Sequence, residues 1–153
     1  MRTMTPEEFE TYCFLRLYSS DLNDCRHVIR MIRRYRKNDV RYALLRDLAV
    51  TYYRPFSGNS KKVKGKHSLS QSYVPAEYKE LHRRLSDLRN FQFAHSPLKF
   101  HDSKVAKLGN LIATSRKSVD FAYLDRSLLD IERLVVSVEA NVNAAAKKLE
   151  ALL

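Results

Sequence analysis

The stretch that decides the fold is residues 127–152, SLLDIERLVVSVEANVNAAAKKLEAL. Apolar side chains recur in it at alternating steps of three and four residues, which places them along one side of an α-helix. The positions of this seam are Leu128, Ile131, Val135, Val138, Val142, Ala145, Leu149 and Leu152. A seam this long is typical of a bundle or coiled-coil helix. We therefore predict a long C-terminal helix over about 125–152 that begins at Asp125 or Ser127.

The N-terminal residues carry two further helix starts. Thr5, Pro6 and Glu8 combine an N-cap, a first-turn proline and a capping-box glutamate, which predicts a first helix to about residue 19. Ser20 and Asp21 are cap residues, so we expect them to begin a second helix. That second helix is amphipathic, and four cations share its polar face: Arg26, Arg30, Arg33 and Lys37. These cations either contact nucleic acid or are solvated and paired with acidic residues.

Two more helices are predicted in the middle of the chain. A third begins at Asn38 and Asp39, runs toward Tyr53 and ends at Pro55. A fourth begins at Pro75. One side of this helix carries mainly leucines in its first part and polar side chains at its end. The positions are Tyr78, Leu81, Leu85, Leu88, Gln92 and His95.

The two regions that connect the predicted helices have different sequence patterns. Residues 55–74 hold two of the three glycines and many serines with no sustained period, so they form a basic loop. Its lysines either wrap a phosphate chain or belong to a solvated linker, and they are Lys61, Lys62, Lys64 and Lys66. In residues 98–124, one apolar set suits a helix and a later set alternates like a strand. We expect a short helix there followed by extended chain.

Length and composition set the class of protein. A chain of 153 residues with 44% hydrophobic residues is long enough for one packed core, so residues 1–153 should form a single domain. Helical segments with short connections and no strong strand pattern predict an all-α protein, an antiparallel helical bundle of about five helices. No apolar stretch is long enough for a membrane span and no signal peptide is visible, so we expect a cytoplasmic protein without a membrane partner.

Charge indicates the kind of partner. Lys and Arg number 28 against 17 Asp and Glu, which gives a formal net charge of +11 at pH 7. A field of that sign gathers polyanions, of which nucleic acid is the commonest. The sequence lacks the motifs of P-loop, dinucleotide-binding, zinc-protease and serine-hydrolase sites. Classical nucleotide-binding folds and these two kinds of hydrolase site are therefore not indicated.

The informative segment is residues 88–97, LRNFQFAHSP, at the end of the fourth predicted helix. It resembles the HEPN superfamily, small helical domains of which many are metal-independent ribonucleases in toxin–antitoxin and antiphage systems. Their signature is an arginine, four to six residues and a histidine, and here five residues separate Arg89 from His95. Asn90 stands where the family usually places a polar residue. A second segment, residues 53–57 (YRPFS), is similar to one found in some members.

The side chains of this motif suit RNA cleavage. An RNA 2′-hydroxyl attacks only after a base takes its proton, and histidine transfers protons near neutral pH, so His95 is the candidate base or acid. Arg89 can neutralise charge that develops on the phosphoryl oxygens, and Asn90 can orient the phosphate or the imidazole. This scheme needs neither metal nor cofactor. A less specific interpretation makes His95 a hydrogen-bonded core residue and Arg89 a surface ion-pair partner.

Geometry and resemblance together indicate a dimer. On an ideal α-helix, Arg89 and His95 point about 120° apart, so either the helix loosens before Ser96 or two chains pool their motifs. The resemblance implies the second solution, a homodimer with a shared cleft. Phe93 lies off the leucine seam, where a partner would cover its ring. The resemblance also implies an antitoxin or a nucleotidyltransferase as a further partner.

The cations nearest the motif complete the candidate site. Arg83 and Arg84 precede Arg89 by about one turn and are predicted to bind RNA, and Arg54 is predicted to approach the same cleft. Two other classes of function remain open. One is a HEPN-like domain that binds RNA, nucleotide or protein without cleaving, and the other is a helical module that binds an acidic protein.

Overall fold

A computed structural model describes residues 3–58, 67–93, 104–115 and 120–152, and this described part is mostly helical. Its α-helices are α1 (Pro6–Arg34), α2 (Asn38–Tyr53), α3 (Lys79–Asp87), α4 (Phe121–Arg126) and α5 (Leu128–Glu150). Short 3-10 turns lie at Arg54–Phe56, Gln71–Tyr73 and Ala76–Tyr78, and a π-helical turn lies at Leu88–Phe93. Two strands, β1 (Lys104–Leu108) and β2 (Leu111–Ser115), form one small sheet.

Helix α1 is a single helix in a region where the sequence predicted two helices. The predicted start is confirmed, because the Thr5 hydroxyl accepts from the Glu8 amide and the Glu8 carboxylate accepts from the Thr5 amide. The predicted break at Ser20 and Asp21 is wrong, since the helix continues to Arg34. Buried side chains continue through this point on one face, from Tyr18 to Leu22 and beyond, and neither residue is Gly or Pro. Packing of that face overrides the local cap signal.

Helices α1 and α5 pack antiparallel. Four polar contacts join them, and the residue number in α5 falls as the number in α1 rises: Tyr12 to Glu150 (2.7 Å), Ser19 to Asn143 (2.9 Å), Arg26 to Glu139 (3.1 Å) and Arg33 to Glu132 (2.5 and 2.9 Å). The contacts span almost the whole of both helices. The two longest elements therefore form the backbone of the fold.

Helix α2 doubles back along α1. Near its start, Arg41 donates to the Ile32 carbonyl at the end of α1, and its guanidinium also binds the Asp125 carboxylate. Just beyond its other end, Arg54 lies 3.7 Å from Asp21 near the middle of α1. Helix α2 begins where predicted, although Lys37 occupies the cap position and Asp39 accepts only from the adjacent Val40 amide.

The seam of α5 lies at the centre of the core. Ile131, Val135, Val138 and Val142 are completely buried, as the three-four pattern predicted. Burying a side chain of this size contributes about 1.5–3 kcal/mol. Leu134, which the predicted seam omits, is also completely buried. The buried face of α5 is therefore wider than a coiled-coil seam, because more than one neighbour covers it.

Residues 104–115 correct the all-α prediction. The sequence favoured a short helix here, and the structure has an antiparallel hairpin in which Leu108 pairs with Leu111 across the two-residue turn Gly109–Asn110. Gly109 has φ of 60°, which glycine adopts at no steric cost and which a two-residue hairpin turn requires. The preference of these two residues for a turn therefore outweighs the weak helical spacing of the apolar residues around them.

The chain that follows the hairpin is also different from the prediction. Phe121 begins the short helix α4, where extended chain was expected, and the Asp120 carboxylate caps it by accepting from the Tyr123 amide at 2.9 Å. Helix α5 then begins at Leu128, one residue after the predicted Ser127. The described helices include none long and apolar enough to cross a membrane.

Candidate functional site

The segment that carries Arg89 is a helix that changes its pitch. Helix α3 ends at Asp87 and continues as the π-helical turn Leu88–Phe93. Buried Leu85 and half-buried Leu88 hold this segment against the core. Hydrogen bonds from residue i to i+5 make each residue of such a turn advance by less than the 100° of an α-helix. The helix thus loosens within the motif, so the ideal angle between Arg89 and His95 does not apply.

Arg89 and Asn90 are held together. Arg89 Nη1 donates to Asn90 Oδ1 at 2.8 Å, and Asn90 Nδ2 donates to Ser86 Oγ at 3.3 Å. Both residues are half-buried. No carboxylate of the described residues lies within ion-pair distance of Arg89, so within that part of the chain its guanidinium is oriented without being neutralised. An oriented, unneutralised guanidinium is suited to binding a phosphate.

The two arginines of α3 have different surroundings. Arg83 lies on the exposed face and binds the carboxylates of Glu80 (2.6 Å) and Asp87 (3.2 Å). The Arg84 guanidinium lies over the Tyr123 ring, with Cζ 3.5 Å from the ring centroid, which is a cation–π contact. Arg84 therefore joins α3 to α4, whereas Arg83 is available to an anion only in competition with two acidic neighbours.

The Tyr53–Ser57 segment meets α3 through its aromatic rings and not through its cation. The Phe56 and Tyr53 rings lie 4.6 and 5.7 Å from the His82 imidazole, centroid to centroid. Arg54 instead approaches Asp21 of α1 at 3.7 Å. Burial raises the pKa of the Asp21 carboxyl, and the nearby Arg54 opposes that shift. The structure thus places the aromatic rings of this segment near His82 of α3, whereas the Arg54 side chain pairs with Asp21 of α1.

His82 of α3 is a residue that the sequence analysis did not include in the candidate site. It is buried, and the Tyr52 hydroxyl lies 2.8 Å from its Nδ1. Either tautomer of the ring makes this contact: Nδ1 accepts from the Tyr52 O–H when the ring proton lies on Nε2, and it donates to the tyrosine oxygen when the proton lies on Nδ1. Nε2 is buried and has no partner there. Burial lowers the pKa of the His82 imidazole and Lys79 lowers it further, which keeps the ring neutral.

A cavity of about 400 Å³ opens beside His82. Its lining residues are Gln71, Val74, Lys79, Glu80, His82, Arg83 and Ser86. Ser86 also accepts from Asn90, so the cavity and the Arg89–Asn90 pair share one side chain. The signal was present in the sequence, because Lys79, His82, Ser86 and Asn90 follow each other at steps of three and four.

Several predicted residues lie outside the described part of the chain. They are His95 and the loop lysines Lys61, Lys62, Lys64 and Lys66. Phe93, which was expected to need a partner chain, is half-buried and stacks on Phe121 of α4 at 6.1 Å between ring centroids. That side chain therefore gives no support to a dimer.

The basic face of α1 is divided. Arg26 and Arg33 bind glutamates of α5, as the solvated, acid-paired interpretation expected. Arg30 and Lys37 have no carboxylate within ion-pair distance among the described residues, so these two cations are free to bind an external anion.

Among the described residues, no group of three or more His, Cys, Asp or Glu side chains is arranged to hold a metal ion.

Comparisons of this chain with protein-family models, with curated proteins and with solved structures give no match.

Proposed function

We propose that this protein is a metal-independent endoribonuclease of HEPN type that works as a homodimer in the cytoplasm. The observation that carries the proposal is the Arg89–Asn90 pair, joined at 2.8 Å within a π-helical turn that ends two residues before His95 in the sequence. π-Helical turns are rare and frequently occur at functional sites. The net charge of +11 suits a polyanionic substrate.

His95 carries the acid–base step in this proposal. It removes the proton from the 2′-hydroxyl or donates one to the leaving oxygen, because an imidazole changes its charge near neutral pH. Arg89 neutralises the charge that grows on the phosphoryl oxygens as the hydroxyl attacks. Asn90 acts as a positioning residue, since its amide holds the guanidinium on one side and reaches Ser86 on the other.

Cations attract the RNA toward the motif in this proposal. Arg83 lies exposed on α3, and Lys61, Lys62, Lys64 and Lys66 supply further positive charge from the 55–74 loop. Arg84 and Arg54 make a smaller contribution, because Tyr123 and Asp21 already engage their guanidinium groups. Toxicity or antiphage defence is the role that such an activity would serve, with an antitoxin or a nucleotidyltransferase as the regulating partner.

The direct test is cleavage of RNA by the full chain in the presence of a chelator. The native protein should cut, and His95→Ala and Arg89→Ala should each lose at least about 100-fold in rate, as expected for removal of an acid–base group or a charge-stabilising donor. His27→Ala and Arg133→Ala are matched controls on exposed positions and should cut at the native rate. Equal cutting by all variants would refute the site.

The non-catalytic alternative has its own outcome in the same experiment. If no protein cuts while RNA still binds, the chain is a binding module and the endoribonuclease proposal fails. Binding through phosphate contacts must weaken as salt rises, because each contact releases counterions. Light scattering at micromolar concentration tests the homodimer, and a monomer would contradict that part of the proposal.

A further inference from the structure

Helix α1 carries a second row of apolar side chains on the side that faces away from the core. Phe9, Cys13 and Leu17 follow each other at steps of four, so they form one row along the helix. Phe9 and Leu17 are 53% and 56% exposed, and Cys13 is an exposed free thiol. The buried Leu15 and Leu22 point about 160–180° away from Cys13. Packing of the core therefore does not explain this row.

The row borders an open groove of about 540 Å³. Every side chain that lines the groove belongs to α1, so no other element in the described part of the chain covers it: Pro6, Phe9, Glu10, Cys13, Phe14 and Leu17. Contiguous exposed apolar side chains with a polar rim are typical of an interaction site. The row is therefore a candidate contact surface.

Two opposite charges flank the row symmetrically. Glu10 lies three residues before Cys13 and Arg16 lies three residues after it, so the two side chains lie about 60° to either side of Cys13 on an α-helix. Both are exposed, and neither makes an ion pair with another described residue. A twofold rotation about an axis along the row exchanges the two flanks. The surface is therefore complementary to a second copy of itself.

We propose that two copies of this chain associate through this row, with a twofold axis that runs along Phe9, Cys13 and Leu17. Each of these residues then meets its own copy. On both flanks, Glu10 of one chain binds Arg16 of the partner subunit. The apolar row supplies the buried surface, and the two ion pairs fix the orientation. A contact made by one row of a helix is small, so the association is weak.

A second copy suits this surface better than other occupants do. Glu7, Glu8 and Glu10 give the first turns of α1 a negative charge, which repels an anionic lipid surface or a nucleic acid. A different protein would have to present a cation and an anion in the matching places beside an apolar row. A copy of this chain presents them by symmetry.

This surface lies at the opposite end of the bundle from the Arg-His motif. Tyr12, next to Cys13, contacts Glu150 at the C-terminal end of α5. The motif turn instead stacks through Phe93 on α4, and Arg41 joins α4 to the other end of α1. Contact through the row therefore does not require RNA cleavage, and the two activities can be tested separately.

The experiment measures self-association of the full chain by analytical ultracentrifugation at micromolar to submillimolar concentration. Glu10→Arg and Arg16→Glu each set like charges opposite one another and should weaken the dimer at least about tenfold. An equimolar mixture of these two variants should associate as the native chain does, because both ion pairs are restored across the contact. Glu77→Arg and Arg133→Glu make the same changes of charge at exposed positions outside α1 and should have no effect.

A short bismaleimide tests the position of the axis, because it joins two thiols only where they lie close together. Cys13 is exposed and lies on the proposed axis, whereas Cys25 is completely buried. The native chain should give a covalent dimer, and Cys13→Ser should give none. The two charge variants should cross-link when they are mixed and not when they are alone.

Three results would overturn the proposal. The first is equal association of the native chain and both charge variants, which would place the contact elsewhere. The second is a mixture of the variants that stays monomeric. The third is a native chain that stays monomeric while Leu17→Ser lowers the free energy of unfolding, which would show that the chain covers its own row. RNA cleavage by Glu10→Arg and Arg16→Glu at the native rate would separate each of these failures from a failure of the proposed endoribonuclease.

Discussion

The α1–α5 pair and the 104–115 hairpin contain similar apolar side chains but bury them to opposite extents. In α5, Ile131 and Leu134 are completely buried, whereas in the hairpin Leu108 and Leu111 are 79% and 74% exposed. The difference lies in what faces each element. Helix α5 lies against α1 over nearly its full length, and the hairpin strands pair chiefly with each other. Apolar content therefore says little about burial until the neighbours are known.

The strongest test of this comparison is a pair of leucines on α5. Leu134→Ala should lower the free energy of unfolding by about 3 kcal/mol, because it removes buried methyl groups and leaves a cavity. Leu129→Ala on the exposed side of the same helix should cost less than about 1 kcal/mol. Urea denaturation followed by circular dichroism measures both. Similar losses would mean that α5 is not seated on α1 as described.

A second test extends the comparison to polar groups. Tyr52→Phe should cost about 1–2 kcal/mol, since it deletes a buried hydroxyl and leaves His82 Nδ1 without its partner. Tyr12→Phe removes the exposed hydrogen bond to Glu150 and should cost clearly less. The same denaturation experiment compares them. A larger loss for Tyr12→Phe would contradict the buried tyrosine–histidine pair.

A third test uses acid. Burial lowers the pKa of the His82 and His67 imidazoles below their usual 6.5, so below that pH the unfolded chain binds more protons than the folded one. The free energy of unfolding should therefore fall as the pH drops from 7.5 through 6.5. The contribution of these two histidines to that fall should end once the pH is below their pKa in the folded protein. Denaturation at a series of pH values measures it. Histidine signals in NMR that titrate above 6.5 would reverse the sign.

The smallest expected effect lies in the hairpin. Leu108→Ser should change the free energy of unfolding by less than about 0.5 kcal/mol, because the side chain is 79% exposed and packs on no helix of the described core. Denaturation of this variant beside Leu134→Ala gives the contrast directly. A loss comparable with that of Leu134→Ala would show that the hairpin is covered in solution.

Part of the fold was predictable because it depends on strong local periodicity. The α5 seam, the capped start of α1 and the start of α2 follow from the spacing of apolar and cap residues. The continuity of α1 through Ser20 was not predictable, because a cap signal inside a continuous buried face yields to packing. The hairpin was missed because Gly109–Asn110 specifies a turn while the flanking residues also fit a helical period.

For the candidate site, the sequence indicated candidate residues but not the side chains that they contact. It identified Arg89 and Asn90 as candidate site residues, and the structure adds that Arg89 donates to Asn90 at 2.8 Å. It could not assign Arg54 to Asp21 or Arg84 to Tyr123, since each pair joins elements distant in the chain. It also gave no indication of the contact between Tyr52 and His82, because the two residues lie 30 positions apart.

By itself, the sequence determined a mostly helical chain with a long C-terminal helix, a strong positive charge and an Arg89–His95 motif, because period, charge and spacing are properties of the chain. Only the tertiary structure decided that α1 is unbroken, that residues 104–115 form an exposed hairpin, and that His82 is buried with Nε2 unpaired among the described residues. The continuity of α1 and the surroundings of His82 depend on contacts between residues far apart in sequence, and the exposure of the hairpin depends on whether other elements cover it. No local pattern encodes such contacts.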